Sequence, residues 1–240
     1  MWSTSDASRT GLDGGADAID RVRSHETLGN TVYLAICDGL TKGHFKPGDP
    51  VRIRALADLL GTSVTPVRDA VLRLVHDRAL VMKSARDIRV PMLTSDEYQE
   101  IREIRLSLEA LAAMKAAEKA TAADIEHVTR LLAENEAAIR DGRFAQATEC
   151  NQIFHFALTD IAAMPTLKSV LNRLWLRMGP IIAAVYESGG RTMIDTHYDV
   201  LDALKKKDGK AAAEAIQRDI VVGGGAIRER IAAEASEPGR

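Results

Sequence analysis

The stretch Ala55-Leu-Ala-Asp-Leu-Leu-Gly-Thr-Ser-Val-Thr-Pro-Val-Arg-Asp-Ala-Val-Leu-Arg-Leu74 decides the fold. Together with Ile53 just upstream, its first part has apolar residues at helical spacing and predicts a short helix over about 53–60. Gly61-Thr62-Ser63 interrupts that pattern, and serine is a residue type that caps helix N-termini. Pro66 falls within the first turn of the next helix, where a missing N–H is tolerated. Val67, Ala70, Val71 and Leu74 then form one apolar stripe running to about Asp77, leaving Val64, Thr65, Arg68 and Leu72 on or near the other side. A helix, a tight turn and a second helix whose N-terminal face offers Ser63, Thr65 and Arg68 is what a helix-turn-helix requires, the second helix entering the major groove of DNA. On this reading Arg68 pairs with a guanine edge or a phosphate. Arg52 and Arg54, on the preceding helix, would lie near the DNA backbone.

Working outward, Leu28, Val32, Ile36 and Leu40 recur every four residues and predict a helix ended by Gly43 and the Lys46-Pro47-Gly48-Asp49 turn. Downstream, Leu80–Met82 and Ile88–Val90 are short β-like runs on either side of Lys83-Ser84-Ala85-Arg86-Asp87, a two-stranded wing. After Pro91 the chain reads as helix after helix, roughly 95–119, 122–141, 143–163, 166–187, 192–206 and 208–234. The breaks fall at Asp141-Gly142, Pro165, Gly189-Gly190 and Asp208-Gly209. Gly223-Gly224-Gly225 lies inside the last helix and points to a kink or to close helix packing. The expected fold is mainly α, with a polar, disordered arm (1–20), a winged helix-turn-helix (21–92) and an all-helical bundle (93–234).

Composition agrees with that reading. Of the 240 residues 46% are hydrophobic and only 4% aromatic, a balance that favours helices over a β-sandwich. No apolar run approaches the roughly 20 residues of a membrane span, and the Ser/Thr/Gly/Asp-rich start carries no apolar core of a signal peptide. A cytoplasmic protein without membrane contact is expected. Cys37 and Cys150 are far apart and make no Cys-x-x-Cys pair, which suits a reducing compartment. The net charge of −2 conceals an asymmetry: residues 21–90 hold 12 Lys/Arg against 7 Asp/Glu, residues 91–240 hold 19 against 23. The basic third suits a polyanion, the remainder some other partner.

In the helical part, Asn151 and His155 are four apart and share a helix face among Phe154, Phe156 and Leu158, while His197 and Asp219 sit on two later helices. Spacing alone leaves open whether such histidines are core residues or ligands. Arg102 and Arg105 are neighbours on one face of the first helix of this part, and Glu109 one turn along is a possible ion-pair partner for Arg105.

Two segments carry a family resemblance. Gly43-His-Phe-Lys-Pro-Gly-Asp49 with the stretch 55–74, above all Ser63-Val64-Thr65-Pro66-Val67-Arg68, resembles the winged helix-turn-helix of the GntR family of bacterial transcription regulators. Glu103-Ile-Arg105-Leu-Ser-Leu-Glu109 resembles the opening of the FCD effector domain found in the FadR-like branch. The resemblance implies operator contacts at Arg54, Ser63, Thr65 and Arg68. It departs at Val64, where the family usually has a base-reading arginine, and at the wing tip, which lacks the usual glycine. Val64 could contact a thymine methyl, so altered operator preference is expected.

For the helical part the resemblance implies an Asp-x-x-x-His pair and two later histidines around zinc, nickel or manganese. The matching positions are Asn151, His155, His197 and Asp219, with asparagine in place of the aspartate and aspartate in place of the last histidine. The set keeps two imidazoles, one carboxylate and one amide oxygen, which can still hold a divalent cation. Arg105, with Arg102 beside it and Asn151 as a hydrogen-bonding group, would bind a small organic acid such as a hydroxy acid, sugar acid or dicarboxylate. The expected function is a repressor, a homodimer on an inverted repeat of double-stranded DNA, released by that acid. Two alternatives remain. One is a metal-free regulator answering an acyl-CoA or another large ligand, for which an acyl chain needs a tunnel. The other, an enzyme with a metal-activated water, finds no H-E-x-x-H, G-x-S-x-G or P-loop in the chain.

Overall fold

The structure, a computed structural model, describes residues 28–236, with backbone alone for 187–191 and 236. The expected arm 1–20 and residues 21–27 lie outside the described residues. The elements are α1 (28–41), α2 (Ile53–Leu59), α3 (Val64–His76), β1 (Val81–Ser84), β2 (Asp87–Arg89), α4 (Ser95–Lys119), α5 (Ala122–Arg140), α6 (Phe144–Ile161), α7 (Pro165–Gly189), α8 (Asp195–Lys206) and α9 (Gly209–Ser236). A 3-10 turn over Gly190–Met193 joins α7 to α8.

The first three helices and the hairpin close around one core. Val32, Ile36 and Leu40 of α1 meet Val67, Val71 and Leu74 of α3 and Leu80, Ile88 and Val90 of the wing, each buried Val or Leu contributing about 1.5–3 kcal/mol of transfer free energy. Leu28, placed by its spacing on the same stripe, is largely exposed, one turn before the first residue that reaches the core. The strands pair antiparallel as Val81↔Arg89 and Met82↔Ile88 and sit about a residue away from the expected runs, because Leu80 and Val90 bury themselves in the core at the ends of the hairpin. Ser63 stands at the N-cap of α3 as expected, yet its hydroxyl makes no capping hydrogen bond.

Capping boxes start the next two helices: Thr94 with Glu97 at α4, Thr121 with Asp124 at α5. Helices α4 and α9 pack antiparallel, as the Tyr98 hydroxyl donating to the Gly224 carbonyl (3.2 Å) and the Gln217 amide donating to the Leu106 carbonyl (3.3 Å) show. The glycine run is therefore a site of close packing and not of a break, since α9 continues through it. A β-carbon on Gly224 would lie 2.5 Å from the Tyr98 hydroxyl. The helix expected from 192 begins instead at Asp195, after the 3-10 turn.

The head and the helical body touch along α7 and at Glu149 of α6. Leu176 joins the core of the head, Lys42 pairs with Glu149 at 2.7 Å, and Gly179 lets the backbone at Leu40–Thr41 come so near that a β-carbon there would lie 2.6 Å from Thr41 Cα. Among the described residues no helix is long and apolar enough to cross a membrane.

Candidate functional site

On the head, Arg52, Arg54, Ser63, Thr65 and Arg68 are all exposed, and the three arginines make no ion pair among the described residues. Other arginines of the head are committed: Arg73 lies 3.7 Å over the Tyr33 ring, and Arg89 pairs with Asp87 at 2.7 Å. Val64 departs from expectation, because it is half-buried and packs against the core of the head, so only part of its side chain is left for a base edge. Lys83 and Arg86 are exposed on the wing.

Inside the helical body the four positions singled out by the sequence come from α6, α8 and α9. His155, His197 and Asp219 are buried, and one ligand atom of each lies within 4.8 Å of the others. His155 Nε2 is 3.4 Å and His197 Nε2 is 3.1 Å from the Asp219 carboxylate, which also accepts a 2.6 Å hydrogen bond from the Thr196 hydroxyl. His197 is fully buried and stacked on Phe154 at 4.0 Å; its Nε2 approaches Asp219 without hydrogen-bond geometry, and its Nδ1 has no hydrogen bond among the described residues. Such an orphaned buried donor or acceptor is expensive unless something unseen completes it. A divalent cation fits that requirement, and the donor set of two imidazoles and a carboxylate suits zinc, nickel or manganese.

Asn151, His155, Asp219, Arg102 and Arg105 line one cavity of about 30 Å³, closed by Tyr98, Ile182 and Gly224 among others. Asn151 is buried at its wall. Arg102 Nε is buried without a partner among the described residues. Arg105 Nε donates to Glu109 Oε1 at 2.6 Å, the ion pair that its one-turn spacing allowed, while the guanidinium still lines the cavity and lies 4.7 Å over the Trp175 ring.

Glu109 is the residue that sequence reasoning left out of the site. Its second oxygen, Oε2, is 2.6 Å from His155 Nδ1, and the Trp175 indole N–H donates to Oε1 at 3.3 Å. Burial opposes its charge, but the Arg105 guanidinium and His155 outweigh that and hold its carboxyl down to about 2. For His155 burial likewise works against the charge, and Glu109 and Asp219 on either side raise its pKa to about 9. Asp219 is held far below the usual carboxylate range, the two histidines overcoming its burial. The one signal in the sequence was an acid on an otherwise alanine-rich helix face, one turn from an arginine.

A larger open groove of about 760 Å³ runs between α5, α6 and α7, lined by Ile153, Phe156 and Lys168 among others. It contains none of the candidate DNA, effector or metal residues read from the sequence.

Comparison with known proteins places this geometry. Residues 28–90 match the family described as bacterial regulatory proteins, gntR family, and residues 100–221 match the FCD domain. The HTH-type transcriptional regulator McbR of Escherichia coli K12 is 35% identical over 191 residues, covering 76% of this chain and 86% of McbR. Its solved structure superposes with a TM-score of 0.79 at 31% identity, covering 85% of this chain and 98% of that one. The HTH-type transcriptional repressor RspR of the same organism is 23% identical over 181 residues, covering 72% of this chain and 77% of RspR. A winged head joined to a helical bundle with a buried polar centre is the build of a DNA-binding transcriptional regulator. The chain belongs to the GntR family and carries an FCD effector-binding domain.

Proposed function

We propose that the protein is a homodimeric repressor of the bacterial cytoplasm whose operator binding is relieved by a small organic acid held beside a divalent cation. The observation that carries this reading is the cavity itself, lined by His155, Asp219 and two arginines, with His197 grouped with the first two. With a cation bound and His155 neutral, the cation, Arg102 and Arg105 outweigh Glu109 and Asp219, so the site favours an anion. A bound cation would supply an electrophilic centre for the acid's oxygens, with Asn151, His155, His197 and Asp219 as its protein ligands. Arg102 and Arg105 would orient the carboxylate, and Asn151 would hydrogen-bond it.

The polar lining favours this reading over an acyl-CoA, because Arg102, Arg105 and Asn151 face the cavity and match a carboxylate and not an acyl chain; at about 30 Å³ the cavity must widen to admit either ligand. The relatives are transcriptional regulators by name, which supports a binding role for the polar centre. The head, over 21–92, would bind an inverted repeat through Arg52, Arg54, Ser63, Val64, Thr65 and Arg68, and the body, over 93–234, would dimerise. Exposed Ile104 and Leu111, seven apart on α4, support a dimer face there. RspR, a repressor by name, supports the sign of regulation.

The test is the melting temperature of chelator-treated protein with and without zinc, nickel or manganese, repeated with His155→Ala and Asp219→Ala. A metal-dependent rise that both variants lose supports the site. No rise with any ion removes the metal from the reading and leaves Arg102, Arg105 and Asn151 as a metal-free pocket.

A further inference from the structure

Glu109 is fully buried, and it divides its two oxygens between the halves of the cavity. Oε1 takes the Arg105 guanidinium and the Trp175 indole N–H, at 2.6 and 3.3 Å. Oε2 takes His155 Nδ1 at 2.6 Å, while the other ring nitrogen, Nε2, faces Asp219. An imidazole whose Nδ1–H is spoken for by a carboxylate has one orientation and one neutral tautomer, the one with its lone pair on Nε2. That lone pair is the one directed at the His197/Asp219 group.

We propose that Glu109 is a positioning residue of the effector site, fixing through one carboxylate both the His155 ring that presents Nε2 to a cation and the Arg105 guanidinium that meets the acid. The proposal rests on the metal reading above. It adds that the two halves of the site are preorganised by a shared group, so that loss of Glu109 damages cation binding although Glu109 touches no cation. Removing such a supporting carboxylate weakens metal binding by about 10–100-fold.

Glu109→Gln keeps the shape of the side chain and removes its charge, which leaves Arg105 buried without a counter-charge and risks the fold. The double variant Glu109→Gln/Arg105→Gln removes both charges together and serves as the folding-safe companion. Nickel ion alone is titrated into chelator-treated full-length protein. The expected result is a loss of affinity of about 10–100-fold in both variants, with circular dichroism unchanged in the double variant. Affinity equal to wild type in a folded variant overturns the proposal.

A second readout needs no metal. In protein with 15N-labelled histidine, six rings in all, His155 is assigned by comparison with His155→Ala. Its Nδ1 proton, held in a 2.6 Å bond to a carboxylate, is expected far downfield and slow to exchange, and is expected to move upfield and exchange faster in Glu109→Gln, whose amide is a neutral acceptor. Absence of that signal from wild type overturns the positioning of the ring. Failure of wild type to bind nickel, zinc or manganese overturns the metal reading and with it the cation half of this proposal, while the ring-proton signal still decides whether Glu109 holds His155.

Discussion

Arg68 and Arg73 lie five residues apart on α3 and have different work. Arg73 is spent on the head itself, over the Tyr33 ring and 3.5 Å from the Asn30 side chain. Arg68 is exposed, with no partner among the described residues, on the face opposite the apolar stripe. Arg68→Ala is therefore expected to weaken operator binding by about 1–3 kcal/mol without lowering the melting temperature, and Arg73→Ala to do the reverse; a gel-shift titration on an operator selected from random DNA, paired with a thermal melt, separates the two. The buried ionisable groups give a second residue-scale prediction. In metal-free protein His155 has its pKa raised from 6.5 to about 9. Its charged form thus contributes stability that is full below pH 6.5 and is lost as pH rises through about 9. Glu109, lowered from 4.5 to about 2, contributes stability that is present above 4.5 and lost as pH falls through about 2. A cation competes with the proton on His155 Nε2, so nickel affinity is expected to rise with pH between 6.5 and 9. A flat affinity profile across that window would show that His155 is no ligand.

Among the elements, helix packing turns two helical glycines into opposite cases. Gly179 on α7 faces the α1 backbone, where a β-carbon would meet Thr41 Cα at 2.6 Å and the Leu40 carbonyl oxygen at 2.7 Å. Backbone cannot swing aside as a side-chain tip can, so Gly179→Ala is expected to push α1 off α7 and to destabilise by about 1–3 kcal/mol. Gly225 in α9 has nothing within 4 Å of its absent β-carbon, and Gly225→Ala is expected to stabilise by about 0.5–1 kcal/mol, the helix propensity difference. Thermal melts of both variants test the contrast, and a stable Gly179→Ala protein would mean the α1–α7 contact is not as tight as it stands. These cases mark how far the sequence can be read. Apolar spacing alone was enough for α3, because Val67, Val71 and Leu74 all bury one face. The resemblance brought His155, His197 and Asp219 together by position, and they do converge. Glu109 was legible only as a partner for Arg105, since its bond to His155 joins residues 46 apart and depends on how α4 packs against α6. The contact at Gly179 is equally non-local, set by the head docking on α7.

In the whole molecule, α7 is the wall shared by the cavity and the DNA-binding head. Trp175 and Ile182 belong to the site side, the first bonded to Glu109 and the second lining the cavity. Leu176, Gly179 and Ala183 belong to the head side, where Leu176 enters the core of the head and Ala183 comes up against Gly43. Occupancy of the cavity can change DNA affinity only if ligand and DNA prefer different arrangements of that wall. The coupling is then reciprocal: an acid that weakens operator binding tenfold, about 1.4 kcal/mol, must itself bind tenfold more weakly to the DNA-bound protein. Trp175→Phe tests whether the wall carries this coupling, because it keeps an aromatic ring near Arg105 and removes the N–H that ties α7 to Glu109; the smaller ring also gives up packing at this buried position, so a thermal melt of the variant accompanies the test. One hydrogen bond of about 1 kcal/mol is enough to cut a tenfold coupling to about twofold. Calorimetric titration of nickel-loaded protein with hydroxy acids and dicarboxylates, with and without saturating operator DNA, measures the coupling from the ligand side, and gel shifts with and without acid measure it from the DNA side. The expected outcome is the same reduced factor from both directions, with acid affinity of the DNA-free variant close to wild type. Full coupling in Trp175→Phe would mean that the site speaks to the head through another element, with α6 the next to test, since its Glu149 holds Lys42 at the end of α1.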